Sequence, residues 1–344
     1  EKNITESTFT GLSFADAEIS TSFEECTLCS NRCQITLIKT DTDTVGWGYK
    51  CGKDIDDDAK KDSDSYTFRL FKEQKKLFLT AGKDKNDPVN KAEKKINPKP
   101  EPKYKIGFPR SLLFYSFYPL WDRFFKELNC KLVLSDLSSD KIFEDGLCSI
   151  TAEYCAPVIM SHGHMTSLIE KDPDFIFMPY YIRNKKDKGM FESHFCPYVQ
   201  SHTSVINSVE KTNVPEEKLI APIFQFNYSD KYQINALYKT MGEKTGFSRK
   251  EIKKAYIKAK ESLNRYKELG QAAGLKVIKE LEEKNEMGIV ILGRPYNIFD
   301  ERINLSLPEK IAAKGVTVIP MDMLPFDGSE LSAEWLNMYW YYGQ

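Results

Sequence analysis

No apolar run in this 344-residue chain approaches the ~20 residues that span a bilayer. The opening Glu1-Lys2-Asn3-Ile4 starts no apolar signal segment and carries no initiator Met, so the chain reads as a piece of a longer protein. An excess of charge is missing too: 49 basic residues face 50 acidic ones, for a formal net charge of -1. That balance removes the global case for nucleic acid or an anionic membrane surface as partner. Short basic runs such as Arg183-Asn184-Lys185-Lys186 lack the aromatic interleaving of a nucleic-acid surface. Neither G-x-x-x-x-G-K-[ST] nor G-x-G-x-x-G occurs, so no nucleotide hydrolysis is assigned to these residues. Without a secretory signal, the 8 cysteines point to metal or redox use in a reducing cytoplasm rather than to a disulfide framework.

The cysteines that are present fall into two groups. Cys26, Cys29, Cys33 and Cys51 bracket a predicted hairpin, with Gln34–Ile38 alternating as a strand and Val45–Tyr49 returning. C-x2-C-x3-C with a fourth cysteine downstream can close a tetrahedral sulfur site, and spacing leaves zinc and an iron–sulfur cluster equally open. The second group is Cys155-Ala156-Pro157 and Cys196-Pro197, each a thiol just ahead of a proline that opens a predicted helix. A helix N-terminus favours thiolate, the form that binds soft metals, whereas an isolated cysteine is more often a small buried hydrophobe. The repetition of the context tips the balance toward metal.

Organisation follows composition. Residues 1–53 form the cysteine module. Residues 54–103, rich in Asp, Lys and Pro, form a linker in which Phe68–Phe71 and Leu77–Leu79 can dock locally. From Tyr104 onward strands alternate with helices, which predicts α/β architecture with parallel, Rossmann-like lobes at 104–214 and 215–344. The predicted helices include Pro197 to about Val209 and a long amphipathic one from about Arg249 to Lys284. Loops that follow the strands are where such sheets carry ligands. Gly107-Phe108-Pro109-Arg110 and Gly293-Arg294-Pro295 are such loops, and either arginine can hold a phosphate or carboxylate at two points. His162-Gly163-His164 reads as a metal or acid–base pair, with Gly163 breaking the helix so that one imidazole turns to a ligand; local hydrogen bonding weighs equally. His194 and His202 flank Cys196 and signal less.

Taken together, Ile106-Gly-Phe-Pro-Arg110, Glu153-Tyr-Cys-Ala-Pro157, His162-Gly-His164, Phe195-Cys-Pro197, Gly293-Arg-Pro-Tyr296 and Met338-Tyr-Trp340 resemble one segment of the activases of 2-hydroxyacyl-CoA dehydratases. The Cys26–Cys51 module also resembles the region that precedes this segment, so the likeness spans most of the chain outside the linker. The chain departs from the family pattern at Ile159, where a Lys is frequent. The resemblance implies a cluster-binding, electron-transfer segment between ATPase domains and a dehydratase-like end, with a dehydratase or related acceptor as partner. It implies that Cys155 and Cys196 ligate an iron–sulfur cluster, that a further ligand lies beyond Gln344, and that His162, His164, Arg110, Arg294 and Glu153 surround the site. Two alternatives stand beside it: a docking module with a structural zinc knuckle, and an acyl-CoA or small-molecule enzyme using the Arg110 and Arg294 turns.

Overall fold

A computed structural model describes residues 18–26, 33–40, 44–49, 66–80, 101–186, 189–325 and 332–343. Near the N-terminus, β1 (Ser20–Glu25), β2 (Gln34–Lys39) and β3 (Thr44–Trp47) form an antiparallel sheet in that order. Gln34–Lys39 alternates because Ile35 and Leu37 turn inward onto Cys26, Cys33 and Tyr49. The expected hairpin is thus β2–β3, and β1 is an added strand that the sequence reading did not place. A zinc-ribbon knot is not shown here, and Cys29 and Cys51 lie outside the described residues.

Helix α1 (Arg69–Leu79) lies within the stretch read as linker and is strongly amphipathic. Its apolar side divides among three clusters, with Phe78 in the main core and Leu70 and Phe71 under the C-terminal strands.

The main sheet is parallel and contains β4 (Lys105–Phe108), β5 (Lys131–Leu134), β6 (Phe175–Phe177) and β8 (Leu219–Ile220), in the spatial order β5-β4-β6-β8. A second parallel ladder pairs β7 (Tyr180–Arg183) with β9 (Ile223–Gln225) just past the ends of β6 and β8. Pro179 and Pro222 fall at that junction. Lacking an N–H, they interrupt the ladder hydrogen bonding while the chains run on side by side. The strand order reverses between β4 and β6, and the carboxyl edge of that pair is the usual place for a ligand crevice.

Aromatics fill the core. On α2 (Phe114–Glu127), Trp121 is wholly buried against Phe177 and Phe224, and its indole N–H donates to Tyr181 Oη at 2.6 Å. Burial places that N–H beside a partner it needs. Helices α3 (Asp140–Leu147) and α4 (Ala156–Ile169) pack so closely that a Cβ on Gly163 would run into the Ile142 carbonyl and one on Gly146 into the Ile159 carbonyl. Gly163 therefore does not break α4; it lets α3 approach, and the helix runs unbroken through both histidines.

Helices α5 (Pro197–Gln200) and α6 (His202–Asn207) stand where one continuous helix was expected. Thr203 Oγ1 donates to the Met178 carbonyl at 2.8 Å and draws the chain toward the end of β6 just past the interruption at Ser201. Helix α7 (Asp230–Thr245) ends at Gly246, whose φ of 71° is left-handed. Helix α8 (Arg249–Lys284) then runs 36 residues, opened by a capping box between Ser248 and Glu251 and closed by Asn285 with φ 52°. It packs along α2, α1 and α7 and reaches the turn Met321–Met323. A two-stranded parallel sheet of β10 (Gly288–Ile291) and β11 (Thr317–Pro320) completes the body, with α9 (Pro295–Ile298) and α10 (Leu307–Ala312) between them. After a last short helix, α11 (Ala333–Leu336), the chain returns to the main body.

Candidate functional site

Three loops meet at the carboxyl edge of the sheets, and each ends in the same local structure. Cys155 caps α4, Cys196 caps α5 and Arg294 caps α9; all three have non-helical backbones with ψ of 152°, 140° and 140°. Each is followed by a Pro at the first or second helical position, and each carbonyl accepts the first intrahelical N–H bonds, as Cys155 does from Val158 at 2.9 Å. None of the three side chains caps its own helix, so thiols and guanidinium are left to face outward.

They face a common point. The Arg294 guanidinium donates to Tyr296 Oη at 3.2 Å and lies within hydrogen-bonding reach of the Cys196 thiol. Burial pulls the Arg294 guanidinium down, but Tyr296 and Cys196 more than offset it, so it sits above its ordinary value. Burial also drives the Tyr296 phenol up to about 12; Arg294 opposes that, while nearby Cys196 and Cys155 add to it. Two sequence-distant thiols thus lie within electrostatic reach of Tyr296, and Cys196 also neighbours Arg294. Because α5 has only four residues, its dipole is small, and Arg294 supplies the positive charge beside Cys196 that a longer helix would give. Glu153 lies exposed two residues before Cys155.

The other residues named from the sequence divide between scaffold and site border. His164 is wholly buried, with Nδ1 at 3.0 Å from Ser135 Oγ and Nε2 at 3.1 Å from Ser138 Oγ. Burial, with Arg110 nearby, lowers its imidazole to about 3, so it is neutral and fully engaged. Arg110 is anchored on Ser135: its backbone N–H donates to the hydroxyl and its Nε–H to the carbonyl, both at 2.9 Å. Asp300, which the sequence reading missed, ties this network to the Arg294 loop. Its carboxylate accepts from Tyr115 Oη at 2.7 Å, from Ser138 Oγ, and from the N–H groups of Arg302 and Ile303 at 3.0 Å. An Asp six residues past an Arg-Pro turn carries no motif, so nothing in the sequence marks it.

His162 is also fully buried, but neither ring nitrogen has a hydrogen-bond partner among the described residues. Tyr154, beside Cys155, stacks over its ring at 6.1 Å between centroids. His202, whose imidazole burial lowers to about 3 with some help from His162, lines a cavity of about 20 Å3 with Ser111 and Met178 at the reversal between β4 and β6. His194 lies in the segment that holds the C-terminal residues: its ring stacks on Tyr339 at 4.2 Å, and its carbonyl accepts from the Tyr341 N–H at 2.9 Å.

Cys26 and Cys33 are both buried, and the Cys26 N–H donates to the Cys33 carbonyl at 2.8 Å, so the two are held close at the foot of the sheet. Among the described residues no group of three or more His, Cys, Asp or Glu side chains gathers as a ready metal site. No described helix is long and apolar enough to cross a membrane.

Comparison with known proteins returned no match among curated proteins and none among solved structures. A family model described as the CoA enzyme activase uncharacterised domain (DUF2229) matches residues 105–324. That span runs from β4 past β11 and takes in Cys155, Cys196 and Arg294. The chain therefore belongs to the activase family of CoA-substrate enzymes, which includes the activases of 2-hydroxyacyl-CoA dehydratases, and its role is in activating a CoA-related partner enzyme.

Proposed function

We propose that this chain is the thiol-bearing electron-transfer segment of an ATP-dependent activase acting on a 2-hydroxyacyl-CoA dehydratase. The observation that carries this reading is the approach of Cys155 and Cys196 to the same Tyr296, with Cys196 beside Arg294. Two thiols at helix N-caps, flanked by a guanidinium, fit a thiolate-ligated iron–sulfur cluster in kind and supply two of its ligands. The others come from outside this pair. A bound cluster would supply one-electron chemistry at low potential. The chain's own part is to hold the sulfurs, to place Arg294 against accumulating negative charge, and to keep the site on a stiff α/β body. ATPase domains would provide the driving force and a dehydratase would accept the electron.

The test is iron and acid-labile sulfide content of protein purified without oxygen, with the two cysteine sets changed separately. Cys155→Ser and Cys196→Ser should each remove most of the iron; retention of iron in both variants sinks the reading. The buried Cys26–Cys33 pair favours a second, structural metal. Zinc at about one per chain that survives the Cys155 and Cys196 changes, and leaves with Cys26→Ser, would place it in the Cys26, Cys29, Cys33 and Cys51 knot.

A further inference from the structure

The two thiol loops touch each other through a pair of rings beside the sulfurs. Tyr154 stands immediately before Cys155, and Tyr198 is the second residue after Cys196. Their ring centroids lie 5.6 Å apart with the planes at 88°, the edge-to-face arrangement that aromatic pairs favour. Tyr154 also lies over His162, with 26° between the two ring planes.

The local chain shows why these contacts count. Every residue of 151–156 except Tyr154 is exposed, so the loop that delivers Cys155 has one half-buried side chain to hold it. His162 gives that ring a fixed seat. It sits two turns into α4, the helix that Cys155 caps, and is wholly buried.

Helix α5 has the complementary problem, because its four residues are too few for a helix that is stable on its own. Val199 is buried and ties α5 to the main core. Tyr198 beside it is 41% exposed, yet its ring is engaged with the other thiol loop. Burial of Val199 fixes α5 against the sheet; the ring pair fixes it against the Cys155 loop.

We propose that the Tyr154–Tyr198 pair, seated on His162, is a clasp that sets the spacing of the Cys155 and Cys196 thiols. Both tyrosines are then positioning residues for the soft-metal site. Their purpose rests on the thiol-site reading above, but the spacing they set belongs to the metal-free chain.

Dibromobimane joins two thiols that approach within its short span, and mass spectrometry of the digested chain locates the bridge. In the metal-free chain a Cys155–Cys196 bridge should form. Tyr198→Ala should cut its yield roughly two- to ten-fold, the range that one aromatic pair is worth, and Tyr154→Ala should do the same. Tyr198→Phe should match the unaltered chain, because the ring pair needs no hydroxyl. Iodoacetamide should still modify both thiols in every variant and leave buried Cys130 untouched, which separates lost spacing from lost folding. Iron taken up without oxygen should fall in the two alanine variants and hold in Tyr198→Phe. The clasp is overturned by no bridge in the unaltered chain, by full bridging or undiminished iron in both alanine variants, or by a Tyr198→Phe that behaves like Tyr198→Ala. Iron that survives both Cys155→Ser and Cys196→Ser removes the cluster reading instead, and the bridging yields then decide the clasp by themselves.

Discussion

His164 and His202 are both buried with imidazoles lowered to about 3, against an ordinary value near 6.5. In the unfolded chain both take up protons as pH falls below 6.5, whereas the folded protein holds them neutral until about 3. Their contribution to stability is therefore complete above pH 6.5 and is lost progressively between there and 3. With two protons taken up on unfolding, the slope approaches about 2.7 kcal/mol per pH unit well below the unfolded value. Urea unfolding at pH 7, 6 and 5 should show midpoints falling at an accelerating rate; a flat profile would contradict burial of the neutral rings. The two cysteines of the proposed cluster behave otherwise. Serine at Cys155 or Cys196 replaces a side chain that is at least partly exposed, so the fold should survive with a change within ~0.5 kcal/mol while iron is lost. Circular dichroism beside metal analysis separates those effects.

Among the elements, α4 shows how a local reading of a glycine goes astray. Between two histidines Gly163 looks like a hinge, but its role is defined by α3, sixteen or more residues earlier in the chain. Gly163→Ala should cost about 1–3 kcal/mol through overpacking, despite the better helix propensity of alanine. Chemical denaturation would show it, and a neutral or stabilising result would mean that α3 and α4 do not touch as described. The long helix α8 is the opposite case. Its boundaries were legible because Ser248, Glu251 and the apolar spacing of Ile252, Tyr256, Ala259 and Leu263 all act within the helix itself. Removing the cap with Ser248→Ala should lower stability by about 1 kcal/mol.

At the scale of the molecule, Asp300 connects the Arg294 loop to the main body. It gathers Tyr115, Ser138 and two backbone N–H groups, and Arg302 beside it pairs with Asp140 of α3. Asp300→Ala leaves those donors without their acceptor in a half-buried seam, at a cost of about 2–4 kcal/mol. Hydrogen exchange should quicken around residues 294–303 more than in the main sheet. Uniform exchange across both regions would show that the seam does not hold the loop.

The sequence by itself determined most elements from Tyr104 on, the parallel α/β class, the family and the pairing of thiols with helix-opening prolines. The elements, the class and the thiol–proline pairing follow from short-range causes: periodicity, caps, and the missing N–H of proline, whereas the family was read from the resemblance of its motifs. It singled out Arg110 and His164, but not that Ser135 would anchor the one and Ser135 and Ser138 engage both nitrogens of the other, because the competition of buried donors for acceptors is settled only once the loops after β4 and β5 lie side by side. It did not find Asp300, Tyr296 as a hub or the break at Ser201. Each of these depends on groups tens to nearly two hundred residues apart, such as Tyr115 and Asp300, meeting in space. The meeting of Cys155, Cys196 and Arg294 was decided the same way: the sequence supplied three similar caps, and the parallel topology, which brings strand ends to one edge, made them neighbours.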